Sequence, residues 1–121
     1  MPVSLIAASA NAIRYAGFAY LRAPAETWRI TGDFSWLHVN EFRAKDGHFK
    51  TRIVHGMLLL GLVSTVVGNQ MPGAGTIYES QSMRFIRPCY INDTVRAQAE
   101  VVELMPAGRV RLKTTCFNQH G

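Results

Sequence analysis

The chain has 121 residues, 48% hydrophobic and 17% charged, with 13 Lys and Arg against 8 Asp and Glu for a net charge of +5. That length suits one domain with a real core and is too short for two, and the composition excludes a disordered or fibrous chain. The cations are scattered, with no basic run and no nucleic-acid module, so no nucleic-acid partner is expected.

Residues 3–21 open the chain with an Ala-rich apolar pattern that has no Lys or Arg ahead of it and Arg14 inside it. It lacks the basic start of a signal peptide and reads as an amphipathic, helical segment. Ala25 to Ile30 follows Pro24 as a short helical turn that stops at Thr31-Gly32, and Asn40 to Lys45 reads as another, closed by Asp46-Gly47. Ile53 to Gln70 is the strongest element. Its stretch Gly56 to Gly68 is apolar almost all round, which predicts a helix buried on every side. That stretch is shorter than the roughly 20 residues of a bilayer span, so no membrane partner is expected. Gly61 and Gly68 lower helix propensity and predict close approach of a neighbouring backbone.

After the turn cluster Met71 to Gly75 the pattern switches to period two. Thr76 to Ile86 reads as a strand broken by Pro88. Thr94 to Leu104 sets Val95, Ala97, Ala99 and Val101 against Arg96, Gln98 and Glu100. Met105-Pro106-Ala107-Gly108 is a hairpin turn, and Arg109 to Asn118 returns with Val110, Leu112 and Thr114 on one face. Helices first and antiparallel strands after predict an α+β domain, a long buried helix wrapped by an antiparallel sheet, the arrangement called a hot dog. Cys89 and Cys116 fit neither a disulfide framework nor a zinc site with the four histidines; they read as reduced thiols of a cytoplasmic protein.

Two places carry groups suited to chemistry. Gly32-Asp33-Phe34-Ser35-Trp36-Leu37-His38 sets a carboxylate and an imidazole five residues apart, wrong for one helix face but able to converge if the loop folds back. Such a pair suits general acid–base work on water. Asp33 as a helix N-cap and His38 as a packing residue are the plainer alternatives. The second place is Ile53-Val54-His55-Gly56-Met57, where the buried helix begins. Unpaired amides at a helix N-terminus can hold an oxygen that gains negative charge, and a glycine lets it approach. Alternatively Gly56 permits tight packing, His55 is structural, and Ser64 bonds its own backbone.

These segments resemble the MaoC-like (R)-specific enoyl-CoA hydratases. That family has Gly-Asp-x-Asn-Pro-x-His, then Ile-x-His-Gly-Met, then Leu-Pro-Gly-x-Gly-x-Ile-Tyr entering Ser-Gln-x-x-x-Phe. Here stand Gly32-Asp33 to His38, Ile53 to Met57, Met71-Pro72-Gly73-Ala74-Gly75-Thr76-Ile77-Tyr78 and Ser80-Gln81-Ser82-Met83-Arg84-Phe85, with Pro88-x-Tyr90-Ile91-x-Asp93-Thr94 beyond. The resemblance runs from about Glu26 to Gln119. It implies reversible syn addition of water to a trans-2-enoyl-CoA, giving an (R)-3-hydroxyacyl-CoA, with no metal or redox cofactor. It assigns Asp33 and His38 as the catalytic pair, the Gly56 amide as the thioester-oxygen donor, and Ser64 as a supporting group. Substrate contacts are expected at His55, Met57, Gly75 and Gln81, with Lys50, Arg84 and Arg87 as candidates for the CoA phosphates. A homodimer is implied, with the Thr76 to Phe85 strand meeting its twin across a two-fold axis.

Three departures stand beside the resemblance. Ser35-Trp36 replaces Asn-Pro, freeing the backbone ahead of His38 and adding bulk beside the loop. Residues 1–24 do not match the family's opening strand. Residues 1–121 form a single domain expected to lack the family's last strand, which would leave unpaired edges inside the sheet unless the chain is a fragment or a partner lends a strand. A hot-dog thioesterase and a non-catalytic thioester-binding domain are the rival functions.

Overall fold

The computed structural model describes residues 2–6 and 17–121. Five strands form one antiparallel sheet: β1 (Pro2–Ile6), β2 (Gly17–Arg22), β3 (Ile77–Gln81), β4 (Thr94–Met105) and β5 (Arg109–Phe117), in the order β2-β4-β5-β1-β3. Three one-turn helices, α1 (Trp28–Thr31), α2 (Trp36–Val39) and α3 (Glu41–Ala44), precede the long α4 (Gly56–Asn69).

The period-two pattern places the core as expected. Val95, Ala97 and Ala99 of β4 and Val110, Leu112 and Thr114 of β5 are buried, and they meet Leu62, Val63, Val66 and Val67 of α4. Deleting any of these buried branched side chains removes both transfer energy and packing. The β4–β5 hairpin closes through Ala107 and Gly108, both at positive φ (64° and 72°). Before β4, the buried Asp93 accepts from the Tyr90 amide (2.8 Å) and from Gln119 Nε2 (2.8 Å), which fixes the turn after Cys89.

Four expectations are corrected. The opening segment is not helical where it is described: Pro2–Ile6 and Gly17–Arg22 are strands, and residues 7–16 lie outside the described residues. Alanines hid a short alternation, since Ala19 and Leu21 turn toward the core while Tyr20 and Arg22 are exposed. Strand β1 lies inside the sheet, paired to β5 from Pro2↔Lys113 to Ile6↔Arg109 and to β3 on its other side. The strand expected over 76–86 ends at Gln81, because β1 pairs it no further. Finally, α4 is buried on one side only. Met57, Gly61, Ser64 and Thr65 are exposed because the sheet covers one face of the helix. Among the described residues a Cβ at Gly61 or Gly68 would meet nothing within 4 Å, so none of their backbone requires either glycine.

One surface cluster braces the approach to α4. Glu41 accepts from Thr51 Oγ1 (2.7 Å), from the Arg52 amide (3.2 Å) and from Arg52 Nε (3.2 Å). The Thr51 hydroxyl first, then the Arg52 amide, hold its carboxyl below the usual value of 4.5. A carboxyl lowered in the folded state contributes stability above its unfolded pKa and loses it as pH falls through the folded one. Glu41→Gln is therefore expected to lower Tm modestly at neutral pH. The gap from wild type should close as pH drops below about 4.5; thermal melts from pH 7 downward test this, and a gap constant across that range would refute it.

Candidate active site

The loop that carries Asp33 starts where α1 stops. Gly32 adopts φ 72°, and its amide bonds Trp28 O at 2.9 Å, the left-handed helix stop that glycine provides without steric cost. The Asp33 amide then donates to Thr31 Oγ1 (3.2 Å), and Asp33 Oδ1 accepts from the Ser35 amide (3.0 Å). Ser35, not Asp33, is the N-cap residue of α2. This tight loop leaves Asp33 Oδ2 facing the two histidines and places His38 within reach. Trp36 turns elsewhere: a Cβ on Gly47 would lie 3.3 Å from its ring, and Arg43 sits over that ring at 5.1 Å.

His38 is anchored from behind. Its Nδ1 lies 2.8 Å from Ile53 O, and a carbonyl only accepts, so Nδ1 carries the hydrogen and in the neutral ring Nε2 holds the lone pair. That Nε2 stands 3.9 Å from Asp33 Oδ2, too far for a direct hydrogen bond and near enough for one water to touch both. The Ile53 segment is itself fixed, since the Ile53 amide donates to Leu37 O (3.2 Å) and the Val54 amide to Cys89 O (2.7 Å).

His55 follows directly and caps the start of α4. Its Nε2 lies 3.0 Å from Asp33 O and 3.6 Å from Asp33 Oδ2, and its ring stacks on His38 at 3.9 Å. Gly56 opens α4, so its amide has no partner within the helix. A Cβ on Gly56 would overlap the ring of Phe85.

A cavity of about 580 Å³ gathers Asp33, His38, His55, Gly56, Met57 and Arg87, among others. Of the other residues singled out from the sequence, Arg84 lines a neighbouring cavity of about 890 Å³ between residues 82–89 and 113–118. Lys50, Gly75, Gln81 and Ser64 line neither cavity. Ser64 is exposed beside Tyr78; burial pushes the Tyr78 hydroxyl pKa up, and Ser64 acts the other way. The larger cavity has Cys89 and Cys116 in its wall, both thiols pushed up to about 11, chiefly by burial. Phe85, the last residue of the Ser80–Phe85 motif, packs on Gly56 and walls both cavities, a role that the motif's spacing does not signal.

Asp33, His38 and His55 also offer three ligand atoms within 4.8 Å of one another, the one such cluster among the described residues. Their present arrangement suits an acid–base pair better than a metal. His55 Nε2 must carry a hydrogen to bond Asp33 O, and the two rings stack rather than converge on a point. Among the described residues no helix is long and apolar enough to cross a membrane.

One long helix laid on a single antiparallel sheet, with the acid–base loop at the helix N-terminus, defines a hot-dog domain. The chain belongs to the MaoC-like domain family, whose model matches residues 8–119. It is 49% identical over 88 residues to an (R)-specific enoyl-CoA hydratase of Rhodospirillum rubrum, covering 72% of this chain and 61% of that protein. It is 44% identical over 88 residues to a 3-hydroxybutyryl-CoA dehydratase of Methylorubrum extorquens, covering 72% and 56%. The chain thus spans about three fifths of the length of these curated relatives. The solved structure of R-hydratase PhaJ1 from Pseudomonas aeruginosa in the unliganded form superposes with a TM-score of 0.85 at 32% identity, covering 100% of this chain and 81% of that one.

Proposed function

We propose that this protein adds water reversibly to trans-2-enoyl-CoA thioesters to give (R)-3-hydroxyacyl-CoA. The observation that carries the reading is the 3.9 Å separation of His38 Nε2 and Asp33 Oδ2 in one cavity with the first amide of α4. The thioester oxygen takes the Gly56 amide, and the water lies between Asp33 and His38. His38 Nε2, which holds a lone pair, removes a proton as the water oxygen bonds C3. The C2–C3 π electrons move toward the thioester oxygen, where the amide stabilises the charge. The imidazolium then returns the proton to C2 on the same face, and the Asp33 carboxylate orients the water and offsets the imidazolium charge. The Ile53-x-His55-Gly56-Met57 motif and the relatives' names support the substrate class; every step uses only protein groups, water and substrate.

Arg87, at the wall of the site, is the proposed contact for the CoA phosphates. We also propose a homodimer. The strand β3 ends the sheet order among the described residues, which leaves its outer edge to pair with the same strand of a second copy. Sedimentation at micromolar concentration is expected to give two copies, and a monomer alone would refute the assembly.

The test of the function is incubation with a short enoyl-CoA. The expected result is loss of the conjugated enoyl thioester without release of free thiol, and an (R) product by chiral analysis. Release of free CoA would instead mean hydrolysis, and no turnover in the folded protein would refute the reading.

A further inference from the structure

The most constrained side chain at the site has no step in the reaction. His55 is only 6% exposed in its side chain, whereas Asp33 beside it is 50% exposed. Its Nε2 contact at 3.0 Å is to a carbonyl oxygen, so that nitrogen donates and has no lone pair to offer substrate or water. The other hydrogen bonds of the Asp33 side chain and amide are local, to Thr31 and Ser35, and shape the loop without fixing it to the helix. The His55 bond reaches across 22 residues, from the residue before Gly56 to the main chain of Asp33. The same ring lies flat against His38, 3.9 Å between centroids and 26° between planes.

From this geometry we infer that His55 is a positioning residue: one N–H holds the Asp33 loop and one ring face holds His38, and together they set the gap in which the water sits. This replaces the substrate contact expected for His55, and it rests on the hydratase reading. Both groups of the pair are thereby referred to the same short segment, His38 through Ile53 O and Asp33 through His55. That segment also presents the Gly56 amide, so water, base and oxyanion donor share one frame.

Three substitutions separate the two contacts. His55→Gln keeps an N–H donor of similar reach and loses the ring, His55→Phe keeps a ring and loses the donor, and His55→Ala loses both. Misplacement of reacting groups by an ångström costs about 100-fold, so His55→Ala is expected to lower kcat by about that factor, with the other two between it and wild type. KM should change by less than about threefold, because the loss falls on the transition state. A rise in KM at unchanged kcat would restore the substrate-contact role and overturn the inference; so would a loss of Tm with kcat unchanged.

Amide exchange tests the same claim without activity. Exchange over residues 33–38 should quicken by about tenfold in His55→Ala, recover toward wild type in His55→Gln, and leave the buried middle of α4 unchanged. Unchanged exchange over 33–38 would overturn the positioning role. Quickened exchange in a protein that hydrates nothing would uphold it and count against the hydratase reading alone. If His55→Ala fails to fold, the Gln and Phe variants carry both measurements.

Discussion

Asp33→Asn and His38→Ala are each expected to lower hydration of an enoyl-CoA by roughly 100- to 10,000-fold, the range of a lost general acid or base. KM should move far less, because both groups act on charge and protons that develop only in the transition state. The Asp33 change keeps shape and removes a negative charge. Its Oδ1 bond to the Ser35 amide can still form through the remaining carbonyl oxygen, so the loop is expected to survive. The His38 change also removes the bond to Ile53 O, and its variant needs a folding check by circular dichroism. The double variant should be little worse than the worse single one, since both touch one water. A natively folded Asp33→Asn protein with undiminished hydration would refute the mechanism. Additive losses in the double variant would separate the two residues into independent roles.

Gly56→Ala should be the most costly change of a single methyl group. The added Cβ overlaps the Phe85 ring and also stands at the amide proposed to receive the thioester oxygen. Phe85 is 59% exposed, so its ring can swing outward, and the stability cost belongs at the low end of overpacking, about 1 kcal/mol. The cost to turnover should be larger, on the order of 100-fold, because alanine keeps the N–H but its methyl denies the thioester oxygen that oxyanion donor. Adding Phe85→Ala separates the two causes. The pair Gly56→Ala with Phe85→Ala is expected to regain the lost Tm and to stay slow. Full recovery of turnover in that double variant would mean that the glycine serves packing alone.

Much of this arrangement was legible in the residues. The alternation over 94–104 and 109–118 named the buried faces of β4 and β5, because a half-buried strand leaves a period-two record. The stop signals Thr31-Gly32 and Asp46-Gly47 marked the end of α1 and the turn after α3, Gly32 through its left-handed backbone and Gly47 through its close approach to Ala44 O and the Trp36 ring. The family resemblance rested on ordered motifs, and the family is the one the chain belongs to. What spacing alone left open was convergence. Nothing in a separation of five residues says that Asp33 and His38 face each other; that follows from the Asp33 turn and from the His38 bond to Ile53 O. The opening strands were hidden for a different reason. Ala-rich sequence favours helix locally, and only pairing with β4 and β5 selects the extended form. The exposed face of α4 was hidden because apolar composition reports what a helix can bury, not which side its own sheet covers.

The sheet order carries a consequence for how the protein is made. Strand β1 precedes both its neighbours, β3 and β5, which are synthesised long after it. The β4–β5 hairpin closes within a few residues and can form as soon as it emerges, whereas Ile6 must find Arg109 across nearly the whole chain. Until β3 emerges β1 has no edge to join, and until β5 is complete the other edge of β1 stays open. Open edges of that kind are where nascent chains pair with one another. Slow synthesis or low temperature, which lengthen the wait for β5 relative to encounters between chains in different ways, should therefore change the yield of soluble protein more than they change the stability of the finished fold.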